Sequence, residues 1–182
     1  MAEAYVFLAD GFEEIEGLTV VDLLRRAGIE TQMVSVMEGK DIIGSHGIEL
    51  KADLTFDEID AAAVQLFVLP GGMPGTKYLA AHEGLAALLK EQSAAGKKIA
   101  AICAAPSVLG GLGLLNGRTA TSYPGFEGQL AGAAVTMNPV EISGNVTTSR
   151  GMGTAIPFGL ALVAQMRDQN TADRLSESII YR

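Results

Sequence analysis

The sequence predicts an α/β fold in which a mostly parallel sheet carries helices on both faces. Short, uniformly apolar runs of strand length alternate along the chain with stretches of helical periodicity. That is the pattern of parallel strands joined by crossover helices. The chain has 182 residues, 48% hydrophobic and 19% charged, enough for one domain (1–182) that buries roughly two-thirds of its unfolded surface.

The elements follow in order. AYVFLA (4–9) is a continuous apolar run ending at Asp10-Gly11, a strand buried on both faces. FEEIEGLTVVDLLRRAG (12–28) has helical periodicity and a glycine stop at Gly28. ETQMVSVM (30–37) is a second strand, and residues 41–60 read as a small hairpin around Gly44 and Gly47, then a short helix. AVQLFVL (63–69) is a strand ending in Pro70-Gly71-Gly72. Residues 76–95, rich in Ala and Leu, predict one helix stopped at Gly96. KIAAIC (98–103) is the next strand, and a helix starts within 105–112. Short β pieces are expected near 118–122 and 133–149, then helices at about 153–167 and 171–180.

In parallel α/β sheets, sites lie at the carboxyl ends of the strands. Asp10–Glu16, Pro70–Gly72 and Cys103 all fall there. Composition excludes other classes. A net charge of -8 without a basic stripe argues against nucleic acid or an anionic membrane as partner. The single cysteine permits no internal disulfide and suits a reducing, cytoplasmic setting. The run 4–9 is too short for the core of a signal peptide, and Pro106 and several glycines interrupt the apolar stretch 99–115, so no membrane span is expected.

Cys103 stands at a strand-to-helix turn, followed by Ala104 and Ala105. Such an elbow lifts a side chain out of the sheet and aims the next N–H groups at the sulfur. The expectation is a thiol pKa below the ordinary value of about 8.5. The alternative is a small buried hydrophobe. Glu16 shares its helical stripe with Phe12, Thr19, Val20, Leu23 and Ala27, so its carboxyl faces the core, where burial raises its pKa and lets it donate to a thiolate. Glu13 and Glu14 read as first-turn residues answering the helix dipole. Gly71 and Gly72 can bring backbone N–H groups close to a ligand, or form a tight turn alone. His82 reads as a solvated helix residue and His46 as a turn residue. Two distant histidines and one cysteine give no metal-ligand spacing, and no cofactor is implied. Without a histidine after Cys103, peptidase chemistry is doubtful.

GFEEIE (11–16), LPGG (69–72), AAICAAPSVL (100–109) and TSRGMGTAIPFGLALV (148–163) together resemble the ThiJ/PfpI superfamily in its DJ-1-like branch, whose fold is akin to class I glutamine amidotransferases. The resemblance covers the chain in order. It implies a flavodoxin-like three-layer sandwich and a homodimer. Cys103 becomes the reactive elbow cysteine, Glu16 the protonated carboxyl beside it, and N–H groups near Gly72 and Ala104 the oxyanion pocket. Arg26 resembles an arginine that approaches the partner subunit's site. The implied activity is that of a glyoxalase or deglycase acting on a small carbonyl substrate or glycated adduct. The alternative is an oxidative-stress sensor or redox-regulated chaperone that works through Cys103 oxidation. Two departures stand out. Tyr123-Pro124 replaces a histidine–proline pair, and tyrosine is a poor base at pH 7. His46 replaces an anion-binding arginine, which weakens sulfinate stabilisation.

Overall fold

A computed structural model of the chain describes residues 1–181. Its elements are β1 (Ala4–Leu8), α1 (Glu14–Arg26), β2 (Thr31–Ser35), β3 (Asp41–Ile43), β4 (Glu49–Lys51) and β5 (Leu54–Thr55). A 3-10 turn (Phe56–Glu58), β6 (Leu66–Leu69), α2 (Gly75–Ala81), α3 (Glu83–Ala94) and β7 (Lys98–Ile102) follow. The remainder is α4 (Pro106–Gly111), β8 (Thr119–Ala120), β9 (Ala134–Val135), β10 (Val140–Ser143), β11 (Val146–Ser149), α5 (Ala155–Met166) and α6 (Gln169–Ser178), with 3-10 turns at Glu127–Gln129 and Met152–Thr154.

The central sheet has seven strands in the order β10-β11-β7-β6-β1-β2-β5. All neighbours are parallel except β10 and β11. The inner strands β1 and β6 are apolar throughout, and β7 after Lys98, because both faces are covered, and their side chains alternate between two cores. Ala4, Val6 and Leu8 of β1 pack with α1, α5 and α6 residues such as Leu24, Phe158 and Leu162. Tyr5 and Phe7 face the other way, onto Leu79, Leu85 and Leu109 from α2, α3 and α4. This is the flavodoxin-like three-layer sandwich that the sequence predicts.

The chain passes from β1 to β2 and β5 on one side, then returns to β6 on the other, so the strand order reverses beside β1. Crevices at such reversals are where α/β sheets bind ligands.

Two expectations need correction. The single helix expected over 76–95 is two, α2 and α3, broken at His82. His82 caps α3: its Nδ1 accepts the Leu85 N–H at 3.0 Å. Its ring packs 4.4 Å from that of Phe56, so it is half-buried rather than solvated. The Ala- and Leu-rich composition hid the cap because propensity alone runs through it.

Candidate active site

The carboxyl ends of β1, β6 and β7 converge on one point. Cys103 follows β7 and adopts φ +66°, the left-handed region that costs a non-glycine residue about 1–2 kcal/mol. Neighbours hold it there from both sides. Its N–H donates to Ser149 O at 3.0 Å, and its carbonyl accepts the Tyr123 N–H at 2.8 Å. The helix after the turn is short and begins at Pro106, which has no N–H. The donors that reach the sulfur are therefore the backbone N–H groups of Ala104 and Gly72, neither of which lies in that helix.

Glu16 comes from α1. Glu13 caps this helix, its carboxylate accepting the Glu16 N–H at 2.7 Å. The apolar stripe turns Glu16 inward, where it is 1% exposed. Its carboxyl accepts the Gly71 N–H at 3.0 Å and the Met152 N–H, and it is hydrogen-bonded to Cys103. Gly71 is an obligate gap between the two groups. A Cβ there would lie 2.6 Å from both the Cys103 Cβ and a Glu16 carboxylate oxygen.

The two groups titrate as one unit. Burial raises the Glu16 carboxyl to about 7, against the bond from Cys103 and the N–H donors. Burial, then the Glu16 charge and hydrogen bond, push the Cys103 thiol up to about 12. That reverses the expectation of a depressed thiol pKa, because the two elbow N–H groups are outweighed while Glu16 is ionised. The pair therefore holds two protons below about 7 and a single one up to about 12. The singly ionised pair has two forms, carboxylate with thiol or carboxylic acid with thiolate, and each anion is met by two backbone N–H donors.

Glu14 stands in the first turn of α1, as expected, but its carboxyl does more than answer the helix dipole. It is 3% exposed and anchors the β3–β4 loop. One oxygen accepts the His46 N–H at 2.7 Å, and the other meets His46 Nδ1 at 2.8 Å and the Ser45 hydroxyl at 3.2 Å. Burial alone would raise this carboxyl, but those bonds hold it at about 2. In turn the bond to Glu14 raises the pKa of His46. Glu13, Glu14 and His46 thus place ligand-type atoms within 4.8 Å of one another, a grouping that residue spacing did not suggest. Glu14 and His46 are already bonded to each other, and Glu13 to the Glu16 N–H.

A cavity of about 690 Å³ opens above the sulfur. Its wall includes Glu16, His46, Gly72, Cys103 and Tyr123. Gly71 lies beneath, and Ala104 contributes its N–H. Of the site residues named from the sequence, Arg26 alone stands apart. It sits in the last turn of α1, bonded to Asp22 at 2.6 Å and lining a separate groove. Sequence reasoning missed Arg150, Met137 and Met152, which also line the cavity. Arg150 directly follows β11 (Val146–Ser149), so the strand-end rule applied to that strand finds it.

The description of the DJ-1/PfpI family matches residues 2–165. DJ-1 homolog A of Arabidopsis thaliana is 37% identical over 178 residues, 96% of this chain and 45% of that protein, so the chain spans less than half of that relative's length. A protein named deglycase from Thermococcus kodakarensis is 34% identical over 150 residues, 81% of this chain and 89% of that one. The solved structure of oxidized Toxoplasma gondii DJ-1 superimposes with a TM-score of 0.95 at 34% identity, covering 99% of this chain and 98% of that one.

Proposed function

The chain belongs to the DJ-1/PfpI family, and from that premise we propose that it is a cysteine-dependent enzyme acting on small reactive carbonyls, of the glyoxalase or deglycase type. The observation that carries this reading is a sulfur on a left-handed turn, hydrogen-bonded to a buried carboxyl whose pKa is raised to about 7, on the wall of an open cavity. A carboxyl poised near neutrality can give and take a proton within one turnover.

For an α-oxoaldehyde the sequence of steps is as follows. The Cys103 thiolate forms a C–S bond to the aldehyde carbon, and the carbonyl electrons move to oxygen. The N–H groups of Gly72 and Ala104 face that oxyanion, which takes the Glu16 proton to give a hemithioacetal. The Glu16 carboxylate then removes the proton on the former aldehyde carbon, giving an enediolate whose hydroxyl proton shifts to the former ketone oxygen. Returning the proton to the neighbouring carbon gives a thioester, so the aldehyde carbon is oxidised and the ketone carbon reduced. Water hydrolyses the thioester, which releases a 2-hydroxy acid and the Cys103 thiol. Tyr123, in place of a histidine, is suited to donating a hydrogen bond rather than to acting as a base.

The 182 residues would act as one domain and pair as a homodimer, with Arg26 contributing to the partner's site. Sedimentation should then report twice 18.9 kDa, and a monomer would leave Arg26 without a role. Among the described residues no helix is long and apolar enough to cross a membrane. Purified protein should convert methylglyoxal to lactate, and Cys103→Ser should reduce the rate to background. Equal rates in parent and variant would remove the cysteine from the mechanism.

A second reading rests on the same N–H donors. Peroxide would oxidise the Cys103 thiolate to a sulfenate with release of water. A second peroxide would give a sulfinate, whose oxygens suit the Gly72 and Ala104 N–H groups. Mass spectrometry after peroxide treatment tests it: a gain of two oxygens on Cys103 without methylglyoxal turnover would favour a sensor or chaperone over an enzyme.

A further inference from the structure

Among the described residues Arg150 is the one arginine or lysine on the cavity wall. Its Nε donates to the Ser122 carbonyl at 3.4 Å, and its main-chain N–H bonds to the Thr154 hydroxyl at 3.2 Å. Among the described residues no carboxylate comes within ion-pair distance of it, and no acceptor meets its two terminal amino groups. The other basic group on the wall, His46, is already engaged by the Glu14 carboxylate. Arg150 is thus the uncompensated cation of a cavity whose wall is otherwise rich in apolar groups, among them Met137, Pro139 and Met152.

A half-buried arginine whose two terminal amino groups have no protein acceptor is built to receive a planar anion through paired N–H donors. Glu13 and Glu16 share the wall, so a singly charged carboxylate is better tolerated there than a phosphate dianion. We propose that Arg150 is a specificity-determining residue, and that the preferred substrate is an α-oxoaldehyde bearing a terminal carboxylate, with the aldehyde at Cys103 and the carboxylate at Arg150. The proposal deepens the enzyme reading and rests on it for the identity of the reacting group.

The test compares methylglyoxal with the α-oxoaldehyde derived from levulinate by oxidation of its methyl group. The parent should favour the carboxylate substrate in kcat/KM. Arg150→Gln should lower the ratio of the two kcat/KM values by roughly ten- to a hundredfold, the range of a lost charge-assisted hydrogen bond. The change should fall mainly on KM, and Arg150→Lys should restore part of it.

A second measurement needs no turnover. Levulinate has no aldehyde, yet it should slow iodoacetamide alkylation of Cys103 in the parent and not in Arg150→Gln, whereas methyl propyl ketone should slow neither. Protection without turnover of either aldehyde would sink the enzyme reading and keep the anion site. Methylglyoxal turnover with an unchanged ratio and no protection would overturn the anion site and keep the enzyme reading.

Discussion

Glu14 and Glu16 stand two residues apart on one helix, both almost wholly withdrawn from solvent, and their carboxyls are driven in opposite directions. The one against the β3–β4 loop is held at about 2, and the one beneath the elbow rises to about 7. Burial alone cannot explain the difference, since it raises both. The partners decide. Glu14 meets a histidine ring, a backbone N–H and a hydroxyl, whereas Glu16 has two backbone N–H groups and a sulfur that competes for the same proton. One carboxylate is made permanent and structural, and the other is left undecided, as proton transfer requires.

The largest effect on that contrast should come from Glu16→Gln, which keeps the shape and removes the exchangeable proton. Methylglyoxal turnover should fall by roughly 10²–10⁴, the usual loss for a general acid–base group. Its thiol should also titrate differently. Alkylation of the parent should rise in two steps, near 7 and near 12. The variant, lacking the opposing charge, should show one step below the parent's upper one. Two steps persisting in the variant would mean that Glu16 and Cys103 are not coupled.

Stability should separate the two carboxyls by sign. A carboxyl with a raised pKa keeps its proton longer in the folded chain than in the unfolded, so Glu16 lowers stability as pH rises from 4.5 to about 7. Glu16→Leu should therefore gain on the parent as pH rises from 4.5 to about 7, by about 3 kcal/mol across that window. Glu14 does the opposite: its stabilising contribution is full above 4.5 and is lost as pH falls to about 2. Glu14→Gln should cost about 1–3 kcal/mol at neutral pH and flatten that acid limb. Urea titrations across pH decide both, and the same sign for the two variants would erase the contrast.

The smallest effect belongs to His46→Asn. It removes the ring bond but not the backbone N–H, so Glu14 should titrate at a higher pH and the acid limb should shift upward with it. An unmoved limb would assign the low pKa to the backbone and Ser45 alone.

Glu16 was legible in the sequence because helical periodicity put a charge on an apolar stripe, and Cys103 because it ends an apolar run. Glu14 was not. Its partner lies 32 residues away in a loop, and nothing in FEEIE distinguishes a capping acid from a buried anchor. The thiol pKa was misjudged for a related reason. Local geometry supplies the N–H donors, but the opposing charge arrives from another element. The sheet was readable because a parallel strand covered on both faces leaves an unbroken apolar run, whereas the break at His82 depends on one side chain turning back onto the next helix.

The left-handed turn at Cys103 also has a consequence for how this chain can drift. Glycine adopts φ +66° without strain, and among L-residues only asparagine and aspartate do so with any ease. A mutation from cysteine to glycine would therefore relax the backbone and remove a half-buried thiol, so stability pulls this position away from its sulfur. A lineage freed from the need for the thiol should lose it quickly and fold better for the loss. The fold on its own gives no reason to keep it.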